Sequence, residues 1–251
     1  MIAALLIVAG TLAAGRPGAR AEHFLSRSFA GSELTLPYRL LLPRNHDPRR
    51  AYPLVIFLHG AGARGADNEK PLAQGVLPWA HELEIQRPAF MVVPQCPEDR
   101  QWVDTPWGTG SYSVDAVPIS KPLATVMQLV AALRREFKID GRRIFITGLS
   151  MGGFGTWDLV TRYPETFAAA MPVCGGGDPT QASRLKGVPI WAFHGSADPV
   201  VPAEASRAMV RALRAAGARV RYTEYPGLAH NVWDKVYGDE AALLWMLAQR
   251  K

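Results

Sequence analysis

The chain has 251 residues, 48% of them hydrophobic and 20% charged, with a formal net charge of +6. That composition excludes intrinsic disorder and supplies enough apolar surface for a large core. The basic residues are scattered and lack interleaved aromatics, which argues against nucleic acid as a partner, and two cysteines, Cys96 and Cys174, are too few for a zinc site or a disulfide scaffold.

Taken in chain order, residues 2–12 form an apolar run followed by small residues and by Ala19-Arg20-Ala21, which fits a small-x-small cleavage site. Residues 1–21 therefore read as an export signal, although the first basic residue, Arg16, stands behind the apolar run rather than ahead of it. Residues 22–251 read as a single domain, secreted or periplasmic. No later apolar run reaches the length that spans a bilayer, so no stable membrane insertion is expected after signal cleavage.

Residues 34–42 suggest an early antiparallel strand near a sheet edge. Short apolar runs then recur at 54–58, 89–93, 143–147, 168–173, 189–193 and 220–225, separated by helix-like stretches, notably 122–137, 152–163, 203–216 and 239–249. Strands that are apolar throughout and alternate with helices predict an α/β fold with a mostly parallel central sheet and helices on both faces. The longest irregular stretch, 94–121, carries Trp102, Trp107 and Tyr112. A loop of that length in a compact domain is often functional.

The strongest chemical signal is Gly148-Leu149-Ser150-Met151-Gly152, which lies between an expected strand and an expected helix. A serine at such a strand-to-helix turn adopts a strained backbone and stands out as a nucleophile. Its hydroxyl needs a histidine to take the proton and a carboxylate to orient that histidine, in the chain order serine, acid, histidine. Downstream of Ser150 only His194 and His230 are available; His194 adjoins a strand, whereas His230 sits in the loop Gly227-Leu228-Ala229-His230-Asn231. His230 is thus the expected base. Asp198, in the turn after a late strand, is the expected acid, and Asp178 in Gly175-Gly176-Gly177-Asp178-Pro179 reads as a turn or helix-cap residue.

Negative charge developing on a carbonyl oxygen calls for two preorganised N–H donors. The amide of Met151, just after the serine, is one, and the amide of Ala61 in Phe57-Leu58-His59-Gly60-Ala61-Gly62 is the expected second. His59 is expected to brace that loop by hydrogen bonds. Trp102 is a candidate substrate-binding side chain, Trp157 reads as core, and the two cysteines read as separate buried thiols. No metal and no cofactor is called for.

These motifs resemble bacterial esterases of the α/β-hydrolase superfamily, a group that carries the labels predicted peptidase and phospholipase/carboxylesterase-like. The agreement runs from Leu36-Pro37-Tyr38-Arg39 through Val93-Pro94-Gln95-Cys96-Pro97, the Ser150 motif and Asp198-Pro199-Val200-Val201-Pro202 to Tyr222-Thr223-Glu224-Tyr225. It implies the α/β-hydrolase fold, Ser150, Asp198 and His230 as the triad, and cofactor-free hydrolysis of short-chain or aryl esters. Peptidase or polymer esterase activity with the same triad is the alternative, and an inactive binding module is the alternative of another class. Some relatives have an acidic residue after the His-Gly-Ala-Gly loop where this chain has Ala63-Arg64.

Overall fold

The computed structural model describes residues 21–251. The expected export signal therefore lies outside the described residues except for Ala21. Among the described residues, eight strands form one sheet: β1 (Phe24–Ala30), β2 (Thr35–Leu41), β3 (Tyr52–Leu58), β4 (Phe90–Pro94), β5 (Ile139–Leu149), β6 (Ala169–Val173), β7 (Ile190–Gly195) and β8 (Val220–Tyr225). Their spatial order is β1-β2-β4-β3-β5-β6-β7-β8. β1 pairs antiparallel with β2 and β2 with β4, and every later pairing is parallel.

Every residue of β3, β4 and β6 is buried, as their unbroken apolar sequences require. Within β3 the side chains alternate between two cores, with Leu54, Ile56 and Leu58 in one and Val55 and Phe57 in the other. Each such side chain taken wholly from water contributes about 1.5–3 kcal/mol. The first core is closed by α2 (Lys121–Glu136), α3 (Met151–Arg162) and α4 (Glu204–Ala215), through residues such as Leu129, Trp157 and Met209. On the opposite face lie α1 (Leu77–His81), α5 (Trp233–Gly238) and α6 (Glu240–Leu247), with Trp79, Tyr237 and Leu243 in the second core.

The helix starts follow local chemistry. Ser120 caps α2 by accepting from the amide of Leu123 at 3.2 Å, with Pro122 in the first turn, and Asp239 caps α6 by accepting from the amide of Ala241 at 2.9 Å. Three features depart from the sequence reading. β1 is a strand of its own at the sheet edge; β5 begins at Ile139 because Ile139 pairs with Tyr52 despite the exposed Gly141-Arg142 step; and the short helices α1 and α5 carry too few residues to impose a periodic pattern. Among the described residues, no helix is long and apolar enough to cross a membrane.

Candidate active site

The parallel strands deliver their C-terminal ends to one rim, and the chemistry gathers there. β5 ends at Leu149 and α3 opens at Met151, leaving Ser150 alone at the turn with φ 54° and ψ −120°. Non-glycine residues avoid that region at a cost of about 1–3 kcal/mol, and the surroundings hold it: the Ser150 amide donates to the carbonyl of Val173 at 2.8 Å. Gly152 is required by close packing, because a Cβ there would overlap the carbonyl of Leu58 at the end of β3. The Gly-x-Ser-x-Gly pattern is thus a steric requirement of placing α3 against the sheet.

The loop after β8 brings His230 to this serine. Its Nε2 lies 2.8 Å from Ser150 Oγ and its Nδ1 lies 2.6 Å from Asp198 Oδ2. A carboxylate only accepts, so Nδ1 carries the proton and Nε2 is left to accept from the serine hydroxyl. Asp198 sits in the turn after β7 with its side chain wholly buried, and its Oδ1 accepts from the amides of Val200 at 2.8 Å and Val201 at 3.0 Å. Burial pushes its pKa up, but the hydrogen bonds from His230 and from those two amides outweigh burial, and the carboxyl is held below its ordinary range.

A fourth group, which the sequence reading placed at a strand and passed over as the base, completes this arrangement. His194 Nε2 lies 3.1 Å from Asp198 Oδ2 and 3.0 Å from the carbonyl of Val201, both acceptors, so Nε2 carries its proton. Its Nδ1 lies 2.8 Å from Ser206 Oγ on α4, and burial lowers its pKa, favouring the neutral ring. Asp198 therefore receives four N–H donors. The signal for His194 was its position four residues before Asp198, in a turn that folds back on its own strand end.

Both residues expected to supply amide donors begin a helical segment. Met151 is the first residue of α3 and has no intrahelical acceptor, and Ala61 opens the single turn Ala61–Ala63 after β3. That turn is held from behind. The amide of Cys96 donates to His59 Nε2 at 2.9 Å, which leaves Nδ1–H to donate to the Gly60 carbonyl at 2.7 Å, and the Gly60 amide donates to Gln74 Oε1 at 2.7 Å. His59 is a brace, as its position ahead of the serine suggested, and burial depresses its pKa to about 4.

Trp102 requires correction as a substrate-binding residue. It is completely buried, its ring packs edge-on to His59 with centroids 5.2 Å apart, and its indole N–H donates to the His59 carbonyl at 2.9 Å. The side chain supports the loop and is not part of the cleft wall. The cleft of about 220 Å³ at Ser150 and His230 is instead walled by Gly60, Ala61, Trp107, Val200 and Trp233, among others. Asp178 serves as the cap it was read to be, accepting from the amides of Thr180 at 3.0 Å and Val114 at 2.8 Å.

Comparison with known proteins supplies the family. The phospholipase/carboxylesterase family model matches residues 45–241. The chain belongs to that family. The phospholipase/carboxylesterase match spans most of the sheet and every residue placed around Ser150. A thermostable esterase of known structure is 40% identical, superposes with a TM-score of 0.83, and is matched over 92% of this chain and 64% of its own. Carboxylesterase SOBER1 of Arabidopsis thaliana is 29% identical over 74% of this chain and 86% of its own length. The bifunctional acetylxylan esterase/xylanase XynS20E of Neocallimastix patriciarum is 33% identical over 59% of this chain but only 20% of its own length. As a member of this family the chain is a hydrolase acting on carboxylic esters.

Proposed function

We propose that residues 22–251 form a single catalytic domain, that of a serine carboxylesterase which cleaves short-chain or aryl carboxylic esters through an acyl-enzyme on Ser150. The observation that carries this reading is the unbroken hydrogen-bond chain from Ser150 through His230 to Asp198, at 2.8 and 2.6 Å, on a strained serine facing an open cleft. Ser150 Oγ attacks the ester carbonyl while His230 Nε2 takes its proton, and the amides of Ala61 and Met151 donate to the oxyanion. The intermediate collapses, His230 gives the proton to the leaving alkoxide, and the acyl group stays on Ser150. Water repeats the sequence and releases the acid. Asp198 keeps His230 in the productive tautomer and remains ionised throughout.

Polymer-borne esters are the second reading, supported by the similarity to an acetylxylan esterase/xylanase. Export from the cytoplasm, proposed from the apolar run at residues 2–12 and the Ala19-Arg20-Ala21 pattern, accords with such substrates. The deciding measurement is intact mass after exposure to a fluorophosphonate, together with p-nitrophenyl acetate and butyrate turnover. Wild type is expected to gain one adduct and turn over both esters, and Ser150→Ala to do neither, with kcat down by about 10⁴ or more. An inert wild type would replace the esterase with a binding module.

A further inference from the structure

Trp107 stands in the wall of two depressions at once. One is the cleft of about 220 Å³ above Ser150; the other is a neighbouring groove of about 290 Å³ lined by Gln101, Asp104, Thr105, Pro106 and Trp107. Each is small for a ligand site, and Trp107 joins them. The groove holds an amide, a carboxylate and a hydroxyl, and none of these side chains makes a hydrogen bond or ion pair with any described residue. Asp104 is exposed and Gln101 half-buried, so these groups meet water when the groove is empty and keep their full bonding capacity for a ligand that displaces it.

The platform is also fixed in place. The turn Trp107–Thr109 is closed by the Gly110 amide donating to the Trp107 carbonyl at 3.2 Å and by the Thr109 hydroxyl donating to the Pro106 carbonyl at 2.7 Å. Behind it the Gly110 carbonyl packs on Gly176 so closely that a Cβ there would collide with it. The indole rides on this fixed turn and packs against the first core, so it binds a flat apolar face with less loss of conformational freedom than a ring on a free loop.

We propose that this groove is a carbohydrate subsite that takes one neutral sugar ring of an O-acylated saccharide. The apolar face of the ring lies on Trp107, its hydroxyls bond to Gln101, Asp104 and Thr105, and its acyl group reaches past Trp107 to Ser150. Charge and shape select this class. An anionic ligand would meet the Asp104 carboxylate with no cation in the lining, and a quaternary ammonium favours an aromatic cage where this groove offers a single aromatic side chain. A neutral polyol matches one aromatic platform with mixed donors and acceptors. That the bound sugar carries the ester rests on the esterase reading; that the groove binds sugar does not.

The test is a binding titration on the full chain carrying Ser150→Ala, following tryptophan fluorescence with unesterified xylotriose and cellotriose, and with choline and ferulate as competitors. At least one oligosaccharide is expected to saturate in the millimolar range and to bind about tenfold more weakly to Trp107→Ala and to the surface variant Asp104→Ala. Choline and ferulate are expected not to displace it. No saturable response to either oligosaccharide, binding indifferent to both substitutions, or displacement by choline or ferulate would overturn the proposal. Binding needs no turnover, so sugar binding in a protein that ignores fluorophosphonate would sink the esterase reading alone, and the converse pattern would sink the subsite alone.

Discussion

His59 illustrates how a single residue couples this site to stability. In the unfolded chain its ring protonates at the ordinary 6.5, whereas in the fold, buried between the loop after β3 and Trp102, it protonates only at about 4. Between those values the unfolded state binds a proton that the folded state refuses, so stability rises with pH. The contribution is complete above 6.5 and is lost as pH falls to about 4, a loss of at most about 3.5 kcal/mol at roughly 1.4 kcal/mol per unit. His194, shifted downward by its own burial, adds to the loss in the same direction. Urea denaturation between about pH 7.5 and pH 4.5 is therefore expected to show a steeper fall for wild type than for His59→Gln. Parallel curves for the two proteins would mean that the ring does not stay neutral in the fold.

At the scale of elements, the long stretch between β4 and α2 behaves as a fixed wall. Tyr112 donates to Asp158 Oδ2 on α3 at 2.8 Å, Arg162 Nε donates to Asp158 Oδ1 at 2.7 Å, and Arg162 also donates to the carbonyl of Val117 at 2.5 Å. Asp178, after β6, holds Val114 from the other side. Burial raises the Asp158 pKa, with Arg162 and Tyr112 opposing it, so the tyrosine hydroxyl partners a costly buried acid. Tyr112→Phe removes one hydrogen bond to a charged group, worth about 1.5–3 kcal/mol. Calorimetry is expected to record a melting temperature lower by about 3 to 10 °C. An unchanged melting temperature would show that the loop does not depend on this anchor. Apart from the Asp158–Arg162 pair, which lies one helical turn apart on α3, these pairings are not legible in the sequence, because Tyr112, Val114 and Val117 are far along the chain from Asp158, Arg162 and Asp178 and no period or spacing links them.

Across the whole molecule the sheet acts as a partition. Cys96 follows β4 and belongs to the core beneath α2 and α3, Cys174 follows β6 and belongs to the core beneath α5 and α6, and β3 and β5 run between their strands. Both thiols are free and buried, and burial pushes the Cys174 pKa up to about 12. Ellman's reagent is expected to find no thiol in the native protein and both after denaturation, with dithiothreitol moving the melting temperature by less than about 1 °C. Rapid titration of one thiol in the native state would contradict this. The separation was readable in advance, since strands that are apolar throughout dictate a sheet covered on both faces and the chain order of α/β units inserts strands between the two cysteines. By itself the sequence determined the α/β alternation, the elbow at Ser150 and the order in which Asp198 and His230 follow it, because these depend on local backbone chemistry and on short-range periodicity. Only the tertiary structure decided that Trp102 is a buried strut while Trp107 faces the cleft, and that Tyr112 bonds to Asp158. Those outcomes depend on which way side chains point when distant segments pack, and no pattern within a single segment encodes that.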